Sequence, residues 1–262
     1  MSELPQVEHL SCDIDAGIAT VRIVRNEHRN AFTNAMYRGM SDLILALDRV
    51  AEARCIVIRG SGGIFSSGSD IGHFLNLGTT DREAHFQLVA DLLTAPARIG
   101  KPVIAAVQGL ALGGGTGLTA ACDMAIADES ATFGLPEVVV GLWPCTLLPA
   151  LVRAVGPRKA YELALMGQRI TAQDALALGL LNRVVPAQRF DAEVAAVAGS
   201  IAAASPVVVQ MGKRAFQQSV DAEFQTATRF MAQVMALNSG TEDAKRGIAA
   251  FLQREKPQWL GR

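Results

Sequence analysis

Apolar positions along this chain follow two periods. Val7 to Ile14 and Gly17 to Val24 alternate apolar with polar residues, as half-buried strands do, and Asp15-Ala16-Gly17 reads as the turn between them. From Thr33 the period lengthens: Met36, Met40, Leu43, Ile44 and Leu47 recur at helical spacing, with Thr33 or Asn34 as N-cap. Cys55 to Ile58 is a short buried strand closed by Gly60-Ser61-Gly62-Gly63, and the small-residue turn Phe65 to Ile71 heads into another helix. A helix from Asp81 to Ala95 is expected to stop at Pro96. Val103 to Val107 is continuously apolar, the mark of a strand covered on both faces, and Gly113-Gly114-Gly115-Thr116-Gly117 carries it into a helix. Asp123 to Ala127 and Ala131 to Phe133 read as extended, and Pro136 stands where a first helical residue tolerates proline. Beyond Trp143-Pro144 helical patterns dominate: Leu147 to Val155, Arg158 to Met166, Ala172 to Leu178, Ala192 to Ala203, Pro206 to Ser219, Ala222 to Leu237 and Glu242 to Arg254, with a short strand at Asn182 to Val185. The pattern divides the chain into an α/β core, residues 1–185, and a closing helical region, residues 186–262.

Composition narrows the function classes. Half of the 262 residues are hydrophobic, enough for a large core. A net charge of −1 offers no electrostatic footprint for nucleic acid or a membrane surface, and no apolar run reaches spanning length. Cys12, Cys55, Cys122 and Cys145 have neither metal nor redox spacing and fit a reducing compartment. Met1 to Ser11 lacks the basic and apolar regions of a signal peptide, so a cytoplasmic location is expected.

Three features carry candidate chemistry. A glycine turn that opens a helix presents unpaired N–H groups and a partial positive charge, a setting for an anion bound or formed in reaction. Gly115-Thr116-Gly117-Leu118-Thr119-Ala120 also fits a dinucleotide fingerprint formally, and tight strand–helix packing without a ligand explains the same glycines. The Phe65 to Ile71 turn offers a second backbone donor; it has no nucleophile-elbow pattern, and His73 is near Ser69 in sequence only. Glu137 follows the apolar run Phe133 to Pro136 and precedes Val138-Val139-Val140, surroundings that raise a carboxyl pKa; an ordinary first-turn glutamate is the other reading. Asp123 reads as structural, Asp70 as a helix cap, and Arg25 to Asn30 as a solvated loop.

The motifs taken together resemble the enoyl-CoA hydratase/isomerase family, the crotonase superfamily, over essentially the full length. They come in family order: Arg29-Asn30-Ala31, Phe65-Ser66-Ser67-Gly68-Ser69-Asp70-Ile71, Lys101 to Val107 with Gly113-Gly114-Gly115, Cys122-Asp123, Phe133-Gly134-Leu135-Pro136-Glu137, and Gly167 to Ala175. The resemblance implies an α/β, crotonase-like spiral of ββα turns with a C-terminal helical trimerisation region, forming homotrimers or hexamers. It implies an acyl-CoA thioester as substrate, with coenzyme A present only as part of that substrate and no separate cofactor or metal. By motif position the thioester oxygen would meet the N–H groups of Ser69 and Gly114, with Glu137 as general acid/base. Coenzyme A contacts fall on Arg29, Ala31, Ser67, Asp70 and Ile71, and a neighbouring subunit would add Phe251 and Arg254.

The departures from the family pattern bear on the reaction. Two-glutamate hydratases carry their first glutamate where this chain has Gly117, and the aspartate of some isomerases falls at Cys145. Glu137 is left as the single acid/base, suited to 3-to-2 enoyl-CoA isomerisation or to hydration with water held otherwise. Trp143 and Leu147 either line an acyl pocket or belong to the core. The rival functions are a non-catalytic acyl-CoA-binding oligomer and a dinucleotide-dependent oxidoreductase.

Overall fold

The computed structural model describes residues 4–72 and 77–262; His73 lies outside them. The chain opens with β1 (Leu10–Asp15) and β2 (Ile18–Ile23), an antiparallel hairpin whose turn residues Ala16 and Gly17 both have positive φ, as a tight two-residue turn requires. Next comes α1 (Asn34–Leu47), capped by the Thr33 hydroxyl, which accepts from Met36 N–H. Then follow β3 (Cys55–Gly60), α2 (Thr79–Arg98), β4 (Val103–Val107), β5 (Leu110–Leu112), α3 (Gly114–Ala121), β6 (Met124–Asp128) and β7 (Thr132–Gly134). A short 3-10 helix, Pro136–Val140, leads to α4 (Leu148–Val155), α5 (Pro157–Met166), β8 (Arg169–Thr171), α6 (Ala172–Ala177) and β9 (Arg183–Val185). Four helices finish the chain: α7 (Phe190–Ala202), α8 (Pro206–Ser219), α9 (Phe224–Ser239) and α10 (Glu242–Gln253).

The strands form two sheets. The larger has the order β1-β2-β3-β4-β6-β9, parallel from β2 onward, and the smaller the order β5-β7-β8. The all-apolar β4 is buried at every residue because helices cover both faces of the large sheet. On one face α1, α2 and α3 close over Ile56, Ile58, Val103 and Ala105; on the other, α7 packs Phe190, Val194 and Val197 on Val57, Ile104 and Ile126. The C-terminal helices hang on charged anchors. Lys213 of α8 donates to Asp123 Oδ2 at 2.6 Å and to Lys101 O at 2.7 Å, and Asp123 Oδ2 accepts the Val103 N–H. Asp123 is therefore structural, as its sequence context suggested.

Three expectations are corrected. α2 runs through Pro96 to Arg98 instead of stopping there, because Leu92, Leu93, Ala95 and Pro96 are buried and hold the last turn against the core. The apolar run at Val103 does not pass directly into the glycine turn: Gly109, at φ 60°, redirects the chain so that β5 joins the second sheet. Finally, Arg25 to Asn30 is not a solvated loop at its ends. The Asn30 side chain is fully buried and does the work of missing backbone partners, accepting from Arg25 N–H and donating to Ser61 O and Ile64 O.

Candidate active site

Two loops meet over α1. Phe32 N–H donates to Gly68 O at 2.8 Å and Asp70 N–H to Phe32 O at 3.0 Å, a single parallel bridge in which Ser69 turns its own N–H the other way. On its other flank the same loop is tied to β5: Ser66 N–H donates to Leu110 O and Leu112 N–H to Ser66 O. The glycines that follow β5 allow close approach. A Cβ added at Gly115 would lie 2.5 Å from Ser66 O, and one at Gly68 would lie 3.1 Å from Gly114 N. Gly114 is the first residue of α3, so its N–H is one of the donors that a helix leaves unpaired. Ser69 and Gly114 line one cleft of about 900 Å³.

Glu137 lines the same cleft from the second residue of its 3-10 helix. Its Oε1 would lie 2.7 Å from a Cβ on Gly113, so the carboxyl sits against the residue preceding the Gly114 amide. Its Oε2 is buried without a hydrogen-bond partner among the described residues. Burial pushes the carboxyl pKa upward. A hydrogen bond from its own backbone N–H opposes that shift without cancelling it.

The remaining sequence candidates divide. Arg29, Ala31, Ser67, Asp70 and Ile71 all line the cleft, as do Trp143 and Leu147. Asp70, read as a cap, is ion-paired with Arg25 at 3.0 Å. Phe251 and Arg254 stand at the end of α10, outside the cleft of their own chain, with Phe251 81% exposed. The dinucleotide fingerprint dissolves: Gly115 to Ala120 lie inside α3, where Gly115 meets Ser66 and Gly117 meets Leu147, so these glycines serve packing and form no phosphate loop. Leu147 Cδ2 would be 2.9 Å from a Cβ on Gly117, so the place of a first glutamate is filled by hydrocarbon.

Sequence reasoning passed over Tyr37. It lies on the buried face of α1, 2% exposed, and its Oη shares a 2.7 Å hydrogen bond with Ser69 Oγ. A tyrosine among apolar helix positions needs a partner for its hydroxyl, and that was the signal available.

A family model described as Enoyl-CoA hydratase/isomerase matches residues 13–262. The chain belongs to the enoyl-CoA hydratase/isomerase family. The crystal structure of human enoyl Coenzyme A hydratase domain-containing protein 3 superposes with a TM-score of 0.93 at 34% identity, covering 96% of this chain and all (100%) of that one. The mouse protein named enoyl-CoA hydratase domain-containing protein 3, mitochondrial, is 34% identical over 93% of this chain and 81% of its own length. The 2,3-dehydroadipyl-CoA hydratase of Escherichia coli (strain K12) is 35% identical over 89% of this chain and 91% of its own. The fold is the crotonase fold, and the chain is an acyl-CoA enzyme of this family. The expectation of a cytoplasmic location is overturned by relatives from mouse, rat, human and Dictyostelium discoideum whose names place them in mitochondria. Near-neutral charge and unpaired cysteines suit any reducing compartment, so they never distinguished one from another.

Proposed function

We propose that this enzyme moves a proton beside the thioester of an acyl-CoA through an enolate, with Glu137 as its single general acid/base, and that 3-to-2 enoyl-CoA isomerisation is its reaction. The observation that carries the reading is the Glu137 carboxyl, whose Oε2 is buried without a hydrogen-bond partner among the described residues, in the cleft that Ser69 and Gly114 also line. The carboxylate takes a proton from C2, the electron pair spreads to the thioester oxygen, and the same carboxyl returns the proton at C4, leaving the double bond between C2 and C3. The two N–H groups receive the developing charge, each contributing about 3 kcal/mol to the transition state. Leu147 against Gly117 favours this route over hydration, since an added water has no second carboxylate to hold it. Arg29, Ala31, Ser67, Asp70 and Ile71 would hold the coenzyme A portion.

Hydration is the second reading, supported by relatives whose names say hydratase, among them the 2,3-dehydroadipyl-CoA enzyme. The absorbance of the conjugated thioester separates the two. A gain with a 3-enoyl-CoA is the expected result; loss of crotonyl-CoA absorbance instead would shift the reaction to hydration. Binding of both without any change, across chain lengths, would leave only an acyl-CoA-binding role.

The C-terminal helices support a homotrimeric assembly, or a hexamer of two trimers. No residue of α9 is buried, and Phe224, Leu237, Phe251 and Leu252 are at least 69% exposed, apolar side chains that a partner surface would cover. Sedimentation should return a mass near three or six times 27.7 kDa, and a stable monomer would remove this part of the reading.

A further inference from the structure

Tyr37 sits beneath both proposed oxyanion donors. Its hydroxyl is 2.7 Å from Ser69 Oγ on one loop, and would be 2.7 Å from a Cβ on Gly114, the residue that carries the other donor. One phenol therefore occupies the floor between two segments that reach this point from far apart in sequence. The ring itself is fixed. Phe32 packs on it at 4.9 Å between centroids, and His85, which is hydrogen-bonded to Asn34 Oδ1 at 2.6 Å, meets it edge-on at 5.6 Å. Phe32 is also the residue whose backbone pairs with Gly68 and Asp70, so the ring stack and the Ser69 loop share one support. Burial pushes the phenol pKa upward, with the Ser69 hydrogen bond opposing and the Glu137 charge adding to it, so the hydroxyl stays a neutral partner throughout the pH range of catalysis.

The phenol fills the space facing Gly114, where an added Cβ would come within 2.7 Å of its hydroxyl, and its hydrogen bond at Ser69 ties down the other loop. We infer that Tyr37 is a positioning residue for the thioester oxygen: it sets the separation of the Ser69 and Gly114 N–H groups by bonding to Ser69 and bracing Gly114. The inference rests on the enolate reading given above. Donor geometry matters because preorganised donors act only when aimed at the position where charge develops, and a displacement near 1 Å costs rate on the order of 10²-fold.

The test uses Tyr37→Phe, which keeps the ring and removes the hydrogen bond, with two readouts. The first is steady-state kinetics with the turned-over enoyl-CoA: kcat is expected to fall about tenfold or more while KM changes less than about twofold. The second is the red shift of cinnamoyl-CoA absorbance on binding to the Glu137→Gln background, which reports carbonyl polarisation without turnover; adding Tyr37→Phe should shrink it. Ser69→Ala breaks the same bond from the other end and keeps the backbone N–H, so it should reproduce both effects, and the double variant should be no worse than either single one. It also serves if Tyr37→Phe fails to fold. Unchanged kcat and an unchanged red shift in either variant would overturn the positioning role. Absence of both turnover and red shift when Tyr37 and Ser69 are intact would instead overturn the enolate reading itself.

Discussion

Glu137→Gln is expected to lower kcat by roughly 10³-fold or more while the Kd for an acyl-CoA changes less than about threefold. General acid/base catalysis supplies about 10²–10⁴-fold, and no second carboxylate stands at Gly117 to take over. The substitution keeps the size and polarity of the side chain, so the cleft should still accept its ligand. The same variant should be more stable than the parent at neutral pH. Burial raises the carboxyl pKa in the folded state above its ordinary value, so the folded protein holds this proton more tightly than the unfolded one. Stability then falls as pH rises from that ordinary value through the raised one, and the deficit persists above it. Glutamine carries no such deficit. The Tm advantage of the variant should therefore appear at neutral pH and vanish below the ordinary carboxylate range. In the parent, kcat/KM should fall as pH drops through the raised pKa, because the abstracting form is the carboxylate. Turnover kept by the glutamine variant would remove Glu137 as the base.

The hydrophobic periods located most elements, because β4 and α1 each carry their burial in local pattern. They failed where geometry depends on distant partners. β5 and β8 are three residues each, too short to show a period, and exist because β7 lies between them. Pro96 looked like a stop because the burial that holds the last turn of α2 is tertiary. The site was legible in part. The glycines and Glu137 drew attention through residue type, and the resemblance paired Gly114 with Ser69. Local reading left open whether the glutamate was reactive, and the buried, unpartnered Oε2 supports the reactive reading. The roles of Asn30 and Tyr37 did not show in local pattern for a common reason. Each side chain has partners 31 or more positions away, Asn30 at Ser61 and Ile64 besides the nearby Arg25 N–H, Tyr37 at Ser69.

Gly68→Ala should cost kcat/KM roughly 10³-fold or more, although the residue carries no chemistry of its own. Removing one oxyanion donor costs about 10²–10³ in kcat, and this substitution disturbs the ground between two. The added Cβ would lie 2.8 Å from Leu112 O and 3.1 Å from Gly114 N, both backbone atoms that cannot swing aside as a side chain would. Relief requires the Ser69 loop and the start of α3 to separate, which opens the distance between their N–H groups. Backbone strain adds a second, separable effect. Gly68 has φ 95°, where an L side chain is strained by about 1–3 kcal/mol, so a lower Tm is expected as well. Gly63→Ala isolates that term: Gly63 has φ 70°, but nothing lies within 4 Å of its added Cβ. It should lose stability and keep kcat/KM. If Gly68→Ala also lost only stability, with rate preserved at temperatures where it is folded, the thioester oxygen would not lie between Ser69 and Gly114.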